Sequence, residues 1–157
     1  MALLDLKGIT KEYALGKTIV RALRGLDLQI DTGEIVAIMG VSGAGKTTFL
    51  NLVAGLDTPT EGKVFLEDED LFSLKYKERA GIRNTKIGFI FQFYHLLPEF
   101  TALENVSFPL LIGGVDKAEA YERALRILRE VNLEEKAFMR PGKVSGGEQQ
   151  RVAIARA

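Results

Sequence analysis

The stretch Gly40-Val41-Ser42-Gly43-Ala44-Gly45-Lys46-Thr47 constrains this chain more than any other. It fits the spacing G-x-x-x-x-G-K-[ST], and each position has a physical reason. A phosphate chain must lie against backbone N–H groups, so the loop needs residues without Cβ bulk. A helix opening directly after the loop turns its N-terminal amides and positive dipole end toward the anion. Lys46 supplies a point charge for the β- and γ-phosphates, and Thr47 supplies an oxygen for Mg²⁺. The flanks suit this reading. Ile35-Val36-Ala37-Ile38-Met39 is a short apolar run of the kind found in a strand buried on both faces, and Lys46 to Ala54 is apolar-periodic like a helix. The expectation is a strand, loop and helix that bind Mg-ATP. Gly40, Val41, Ser42, Gly43, Ala44, Gly45, Lys46, Thr47 and Thr48 form the binding set, with Lys46 also catalytic and Thr47 a metal ligand.

Other classes of function are excluded by composition. Lys plus Arg total 21 and Asp plus Glu total 21, so the basic excess of a broad nucleic-acid footprint is missing. The absence of cysteine rules out disulfides and thiolate-bound zinc, and a single histidine, His95, rules out multi-histidine metal sites. The N-terminus lacks the basic start and apolar core of a signal peptide. No uncharged apolar run approaches the ~18 residues of a membrane helix. If the protein acts at a membrane, a partner must hold it there.

The remaining chain divides in character. Leu4, Leu6 and Gly8 alternate with charged positions, and Ile19 to Ile30 is rich in Val, Ile and Leu, so the first thirty residues read as strands ending in a turn at Asp31-Thr-Gly-Glu34. Val64 to Leu66 reads as a strand, Lys75 to Arg83 as a helix, and Ile87 to Phe91 as a second buried strand. Beyond Gln92 the pattern is helical. Thr101-Ala-Leu-Glu104 has capping-box spacing and opens a helix that Pro109 is expected to kink or end. Asp116 and Glu119 repeat the capping-box spacing and open an amphipathic helix to Val131 that places Ala120, Ala124, Ile127 and Leu128 on one face. A last helix begins near Ser145. The expected organisation is a nucleotide-binding part with an outer β-sheet over 1–91 and a helical part over 92–157.

Val144-Ser145-Gly146-Gly147-Glu148-Gln149-Gln150-Arg151 is the second constellation. A serine and two glycines opening a helix make another anion-binding end. With the following Arg-Val-Ala-Ile-Ala-Arg-Ala, this run resembles the signature motif and helix of ABC-type ATPases, with Val144 where the family usually has leucine. The stretch Phe91 to Gly113 and the run Gly-Leu-Asp-Thr-Pro-Thr at 55–60 resemble, within that family, the ATPases of lipoprotein-releasing systems. These belong to a wider group with macrolide exporters and a cell-division ATPase. The resemblance covers the whole chain.

That resemblance implies a fold: α/β, a P-loop (RecA-like) core with an antiparallel outer β-subdomain and an α-helical subdomain. It also implies roles. Ser145, Gly146, Gly147 and Glu148 bind the nucleotide held by the other subunit of a head-to-tail homodimer. Gln92 resembles the glutamine that touches Mg²⁺ or the attacking water, and Tyr13 sits where the family stacks an aromatic on adenine. Phe93, Tyr94, Leu96, Leu97 and Phe100 are candidates for contact with transmembrane permease subunits, and His95 reads as an interface or surface residue. The implied setting is peripheral, on the cytoplasmic face of an inner membrane. The family's Mg²⁺-binding carboxylate, water-polarising glutamate and γ-phosphate histidine are not found. Asp5 and Glu67 follow apolar residues but lie in the outer sheet. The chain is expected to be truncated after the signature helix, with part of the core missing.

Overall fold

The computed structural model describes residues 2–157, which fall into two compact units, one ending at Ala80 and the other spanning Gly81–Ala157. In the first unit, β1 (Ala2–Leu15) and β2 (Thr18–Asp31) make a long antiparallel hairpin. β3 (Glu61–Leu66) pairs antiparallel with the other edge of β1, and the short β4 (Glu69–Asp70) pairs with β3, giving the order β2-β1-β3-β4. α1 (Lys46–Val53) buries Phe49 and Leu52, while the sheet buries Leu6, Ile9 and Val64. Removing these apolar side chains from water contributes about 1.5–3 kcal/mol each. α2 (Tyr76–Lys86) closes the run of elements that starts in this unit.

The second unit is helical: α3 (Ala102–Ile112), α4 (Lys117–Glu130) and α5 (Gly146–Arg156), with two short 3₁₀ turns between α4 and α5. Ala102, Leu103 and Val106 of α3, Ala124 and Leu128 of α4, and Val152 of α5 meet in one buried cluster with Leu133 and Ala137. The capping box read at Thr101 and Glu104 is formed in both directions, and Asp116 caps α4 by accepting from the amides of Ala118 and Glu119. Ala120, Ala124 and Leu128 are buried as their spacing requires, but Ile127 is exposed at the edge of that face.

Two expectations are corrected. Pro109 does not end its helix: it lies inside α3, which runs on to Ile112. The missing N–H and ring clash of a mid-helix proline cost ~3 kcal/mol. The packed face of Ala102, Leu103, Asn105 and Val106 holds the helix through it. Second, Ile35–Met39 and Ile87–Phe91 are not strands: Ile35 is 100% and Met39 89% exposed, and neither segment joins a ladder. A strand covered on both faces needs hydrogen-bonding neighbours and helices above and below. Among the described residues the only sheet is the antiparallel one, so these segments have the composition of core strands without the pairing.

Candidate functional site

The loop before α1 is built around Gly45, which stands at the N-cap with φ of 88° and provides no side-chain cap. A Cβ there would lie 2.5 Å from the carbonyl oxygen of Ala22, so both the left-handed backbone and the close approach to β2 require glycine. The amides of Lys46, Thr47 and Thr48 have no intrahelical acceptors by helix geometry, and no acidic side chain sits in the first turn. That is a row of donors with a positive dipole end and no internal anion. The Lys46 ammonium donates to the carbonyls of Gly40 and Val41, each at 2.7 Å, which folds the lysine back across the loop and leaves one of its three N–H groups. Gly40, Val41, Ser42, Gly43 and Ala44 are solvent-exposed, as is Thr47. The open amides and the cation beside them fit a nucleotide's phosphates.

Tyr13 belongs to the same unit. It pairs with Val20 of β2, two residues along the strand from the Ala22 that Gly45 touches. Its hydroxyl donates to Asp57 at 2.7 Å, and the Lys11 ammonium lies 4.8 Å from the centre of its ring. Burial pushes the Asp57 carboxyl up, but hydrogen bonds from Lys11, Tyr13 and the Thr58 amide, with the Lys11 charge, hold it below its ordinary value.

Gln92 and the signature residues lie in the second unit. Gln92 is exposed in a turn. Just after it, Tyr94 and His95 both adopt positive φ, 61° and 45°. Such backbone costs roughly 1–2 kcal/mol per non-glycine residue. Arg156 at the end of α5 fastens it, donating to the Tyr94 carbonyl at 2.7 Å and the His95 carbonyl at 2.6 Å. Burial lowers the Arg156 pKa from its ordinary value, yet arginine stays charged. Further on, Asn105 is fully buried, accepts from the Leu97 amide and donates to the carbonyls of Leu97, Phe100 and Thr101. The apolar segment is thereby divided. Phe93 is 76% exposed, and Leu97 and Phe100 are also exposed, whereas Leu96 packs on the helical core.

Ser145 opens α5 through a closed capping box. Its Oγ accepts from the Glu148 amide at 3.3 Å, and Glu148 accepts from the Ser145 amide at 2.7 Å. Those bonds, from the backbone first and the hydroxyl second, hold the Glu148 carboxyl below its ordinary value. The amides of Gly146 and Gly147 remain without intrahelical acceptors. Sequence reasoning passed over Asp57, Asn105 and Arg156. Asp57 and Tyr13 are 44 residues apart and Arg156 and Tyr94 are 62 apart, and no local pattern signals such pairs.

Known proteins resemble this chain over nearly all of its length. The family model described as ABC transporter matches residues 23–157. The lipoprotein-releasing system ATP-binding protein LolD of Geobacter metallireducens is 51% identical over 99% of this chain and 69% of its own length. LolD of Pseudomonas syringae pv. tomato is 52% identical over the same shares. Among solved structures, the dimeric post-hydrolysis state of the ATP-binding cassette MJ0796 bound to ADP and Pi superposes with a TM-score of 0.90. It is 45% identical, and the match spans 98% of this chain and 68% of that one.

Proposed function

The chain belongs to the ABC transporter ATP-binding family, and on that premise we propose that it binds Mg-ATP at Gly40–Thr48 and powers membrane-embedded permease subunits of lipoprotein-releasing type. The observation that carries this reading is the uncapped first turn of α1, held by Gly45 against β2 with Lys46 folded over it. The loop amides and Lys46 receive the phosphates, exchanging the Gly40 and Val41 carbonyls for phosphate oxygens. Thr47 is a Mg²⁺ ligand through its hydroxyl. That hydroxyl would be one ligand among several, since magnesium keeps waters and takes phosphate oxygens beside its protein ligands. Tyr13 stacks on the base. The bound ion supplies neutralisation of charge on the β- and γ-phosphates.

Gln92 approaches the Mg²⁺ or the attacking water, and Ser145, Gly146, Gly147 and Glu148 complete the site of a second copy in a head-to-tail homodimer. Support for pairing comes from MJ0796, whose cassette is dimeric. The exposed Phe93, Leu97 and Phe100 are the surface offered to a permease. Among the described residues no helix is long and apolar enough to cross a membrane, so attachment to the cytoplasmic face of an inner membrane runs through that partner. The balanced charge supports a role without nucleic acid. Titration calorimetry with Mg-ATP tests the core of this reading. Replacing Lys46 by alanine is expected to weaken binding about 10- to 100-fold, the range of a lost charged hydrogen bond. Unchanged affinity would overturn it.

A second reading is nucleotide binding by this chain without turnover. Phosphate release from ATP separates the two readings.

A further inference from the structure

We propose that Asp57 is a strut between the two ends of the nucleotide site. It fixes the Tyr13 ring relative to α1, so that a purine base stacks only on the ring face turned away from Lys11. The inference rests on the reading of Gly40–Thr48 as a phosphate site and of Tyr13 as a base contact. It adds Asp57 and Lys11 as positioning residues.

Asp57 is anchored from two sides. Its own amide and that of Leu56 donate to the Asn51 carbonyl of α1, at 3.2 and 2.8 Å, so its backbone is fastened to the helix whose first turn carries Lys46 and Thr47. Its carboxylate accepts from the Tyr13 hydroxyl, from Lys11 and from the Thr58 amide, all at 2.7 Å. A movement of α1 therefore carries the Tyr13 ring with it.

The spacing suits a nucleotide. Gly45 rests on Ala22, and Tyr13 is two residues along β2 and one strand across from it. At roughly 3.3 Å per residue and ~4.8 Å between strands, the backbones are on the order of 8 Å apart, about the reach from a nucleotide's inner phosphate to its base.

Lys11 decides the face. Its ammonium is held by Asp57 and by the Thr58 carbonyl at 2.6 Å, and it stands 4.8 Å from the ring centre. A cation seated there occupies one π-face, leaving the other for a base. A ring tied at its hydroxyl and covered on one side has little freedom left to lose on stacking, which favours affinity. If the cluster only fastened the 55–60 loop to β1, its loss would weaken all ligands alike. A strut instead makes the effect depend on the base.

The test is titration calorimetry of this chain with Mg-ATP and with inorganic tripolyphosphate, for Tyr13→Phe, Asp57→Asn and Tyr13→Ala, with thermal melts alongside. Tyr13→Phe keeps the ring and removes only the tether, so it carries the test even if Asp57→Asn fails to fold. The expected result is a loss of ATP affinity of about 3- to 10-fold in Tyr13→Phe, with tripolyphosphate affinity unchanged. If Tyr13→Ala weakens ATP binding but Tyr13→Phe and Asp57→Asn do not, the strut is wrong and the stacking stands. Equal losses for both ligands in Tyr13→Phe would make the cluster a fold element and overturn the proposal. If Tyr13→Ala leaves ATP binding intact, base contact and strut fall together, while Lys46→Ala still reports on the phosphate loop.

Discussion

The helix α1 opens after a run of small residues and α5 opens with one, and their first turns are built in opposite ways. Gly45 before α1 offers no side chain, the first turn holds no acid, and the glycine is locked in place by β2. Ser145 before α5 closes a capping box with Glu148, and a Cβ on Gly147 would meet open space. The first arrangement leaves its donors for an outside anion and is unstable by itself, since nothing local caps it. The second satisfies part of its own N-terminus and keeps only the Gly146 and Gly147 amides to give. One helix start leaves its first-turn amides without side-chain acceptors, and the other engages part of its own.

The sharpest way to break that contrast is a matched pair of substitutions. Gly45→Ala forces an L-residue to φ of 88° and drives a Cβ into the Ala22 carbonyl, so Mg-ATP binding is expected to fall below detection by calorimetry. Gly147→Ala has room and helical backbone, so its melting temperature is expected to hold or rise slightly, glycine being about 1 kcal/mol worse than alanine in a helix. If the two variants behaved alike, the contrast would be false.

Next in size is Asn105→Ala in the helical unit. It leaves the Leu97 amide and the Phe100 carbonyl without the side chain that meets them, while the carbonyls of Leu97 and Thr101 keep the backbone amides of Phe100 and residue 105, with an expected cost of about 2–4 kcal/mol in chemical denaturation. Faster amide exchange over residues 97–101 should accompany it. A neutral result would mean that the loop is held by packing alone. Ser145→Ala removes the N-cap of α5 and should cost about 1 kcal/mol. The corresponding position at α1 has no side-chain cap to remove.

The smallest effect is one of pH. Hydrogen bonds from the Ser145 backbone and hydroxyl hold Glu148 below its ordinary value, and those from Thr101 do the same for Glu104. A carboxylate with a depressed folded pKa stabilises above its unfolded pKa of about 4.3, and this is lost as pH falls through the folded value. Both caps should therefore weaken on acidification below about pH 5, and Glu148→Gln should flatten the α5 share of that loss in pH-dependent melts. No such share attaches to α1, whose first turn carries no acid. A pH profile unchanged by Glu148→Gln would sever the cap from acid stability.

The helical unit was the more legible in sequence because its signals are local. Thr101 with Glu104, Asp116 with Glu119 and the spacing of Ala120, Ala124 and Leu128 are all read within one or two turns; the first box and the buried spacing appear in the structure, while Asp116 caps α4 and the Glu119 side chain accepts from Arg123 instead of closing a box. Pro109 does not end its helix because packing offsets a penalty that is all the local sequence shows. Ile35–Met39 and Ile87–Phe91 were misread for the converse reason. Their apolar composition is that of core strands, but a strand exists only where another pairs with it.

What the sequence by itself determined is the run of residues whose chemistry depends on immediate neighbours: the Gly40–Thr47 loop, the Ser145 helix start, the caps and the family to which they belong. What the tertiary structure decided is which distant side chains steady those motifs. Asp57 meets Tyr13, Arg156 fastens Tyr94 and His95, Asn105 ties down Leu97 to Thr101, and Ala22 makes Gly45 irreplaceable. Hydrogen bonds and close contacts act over a few ångströms of space whatever the separation along the chain, so only folding can choose these pairs.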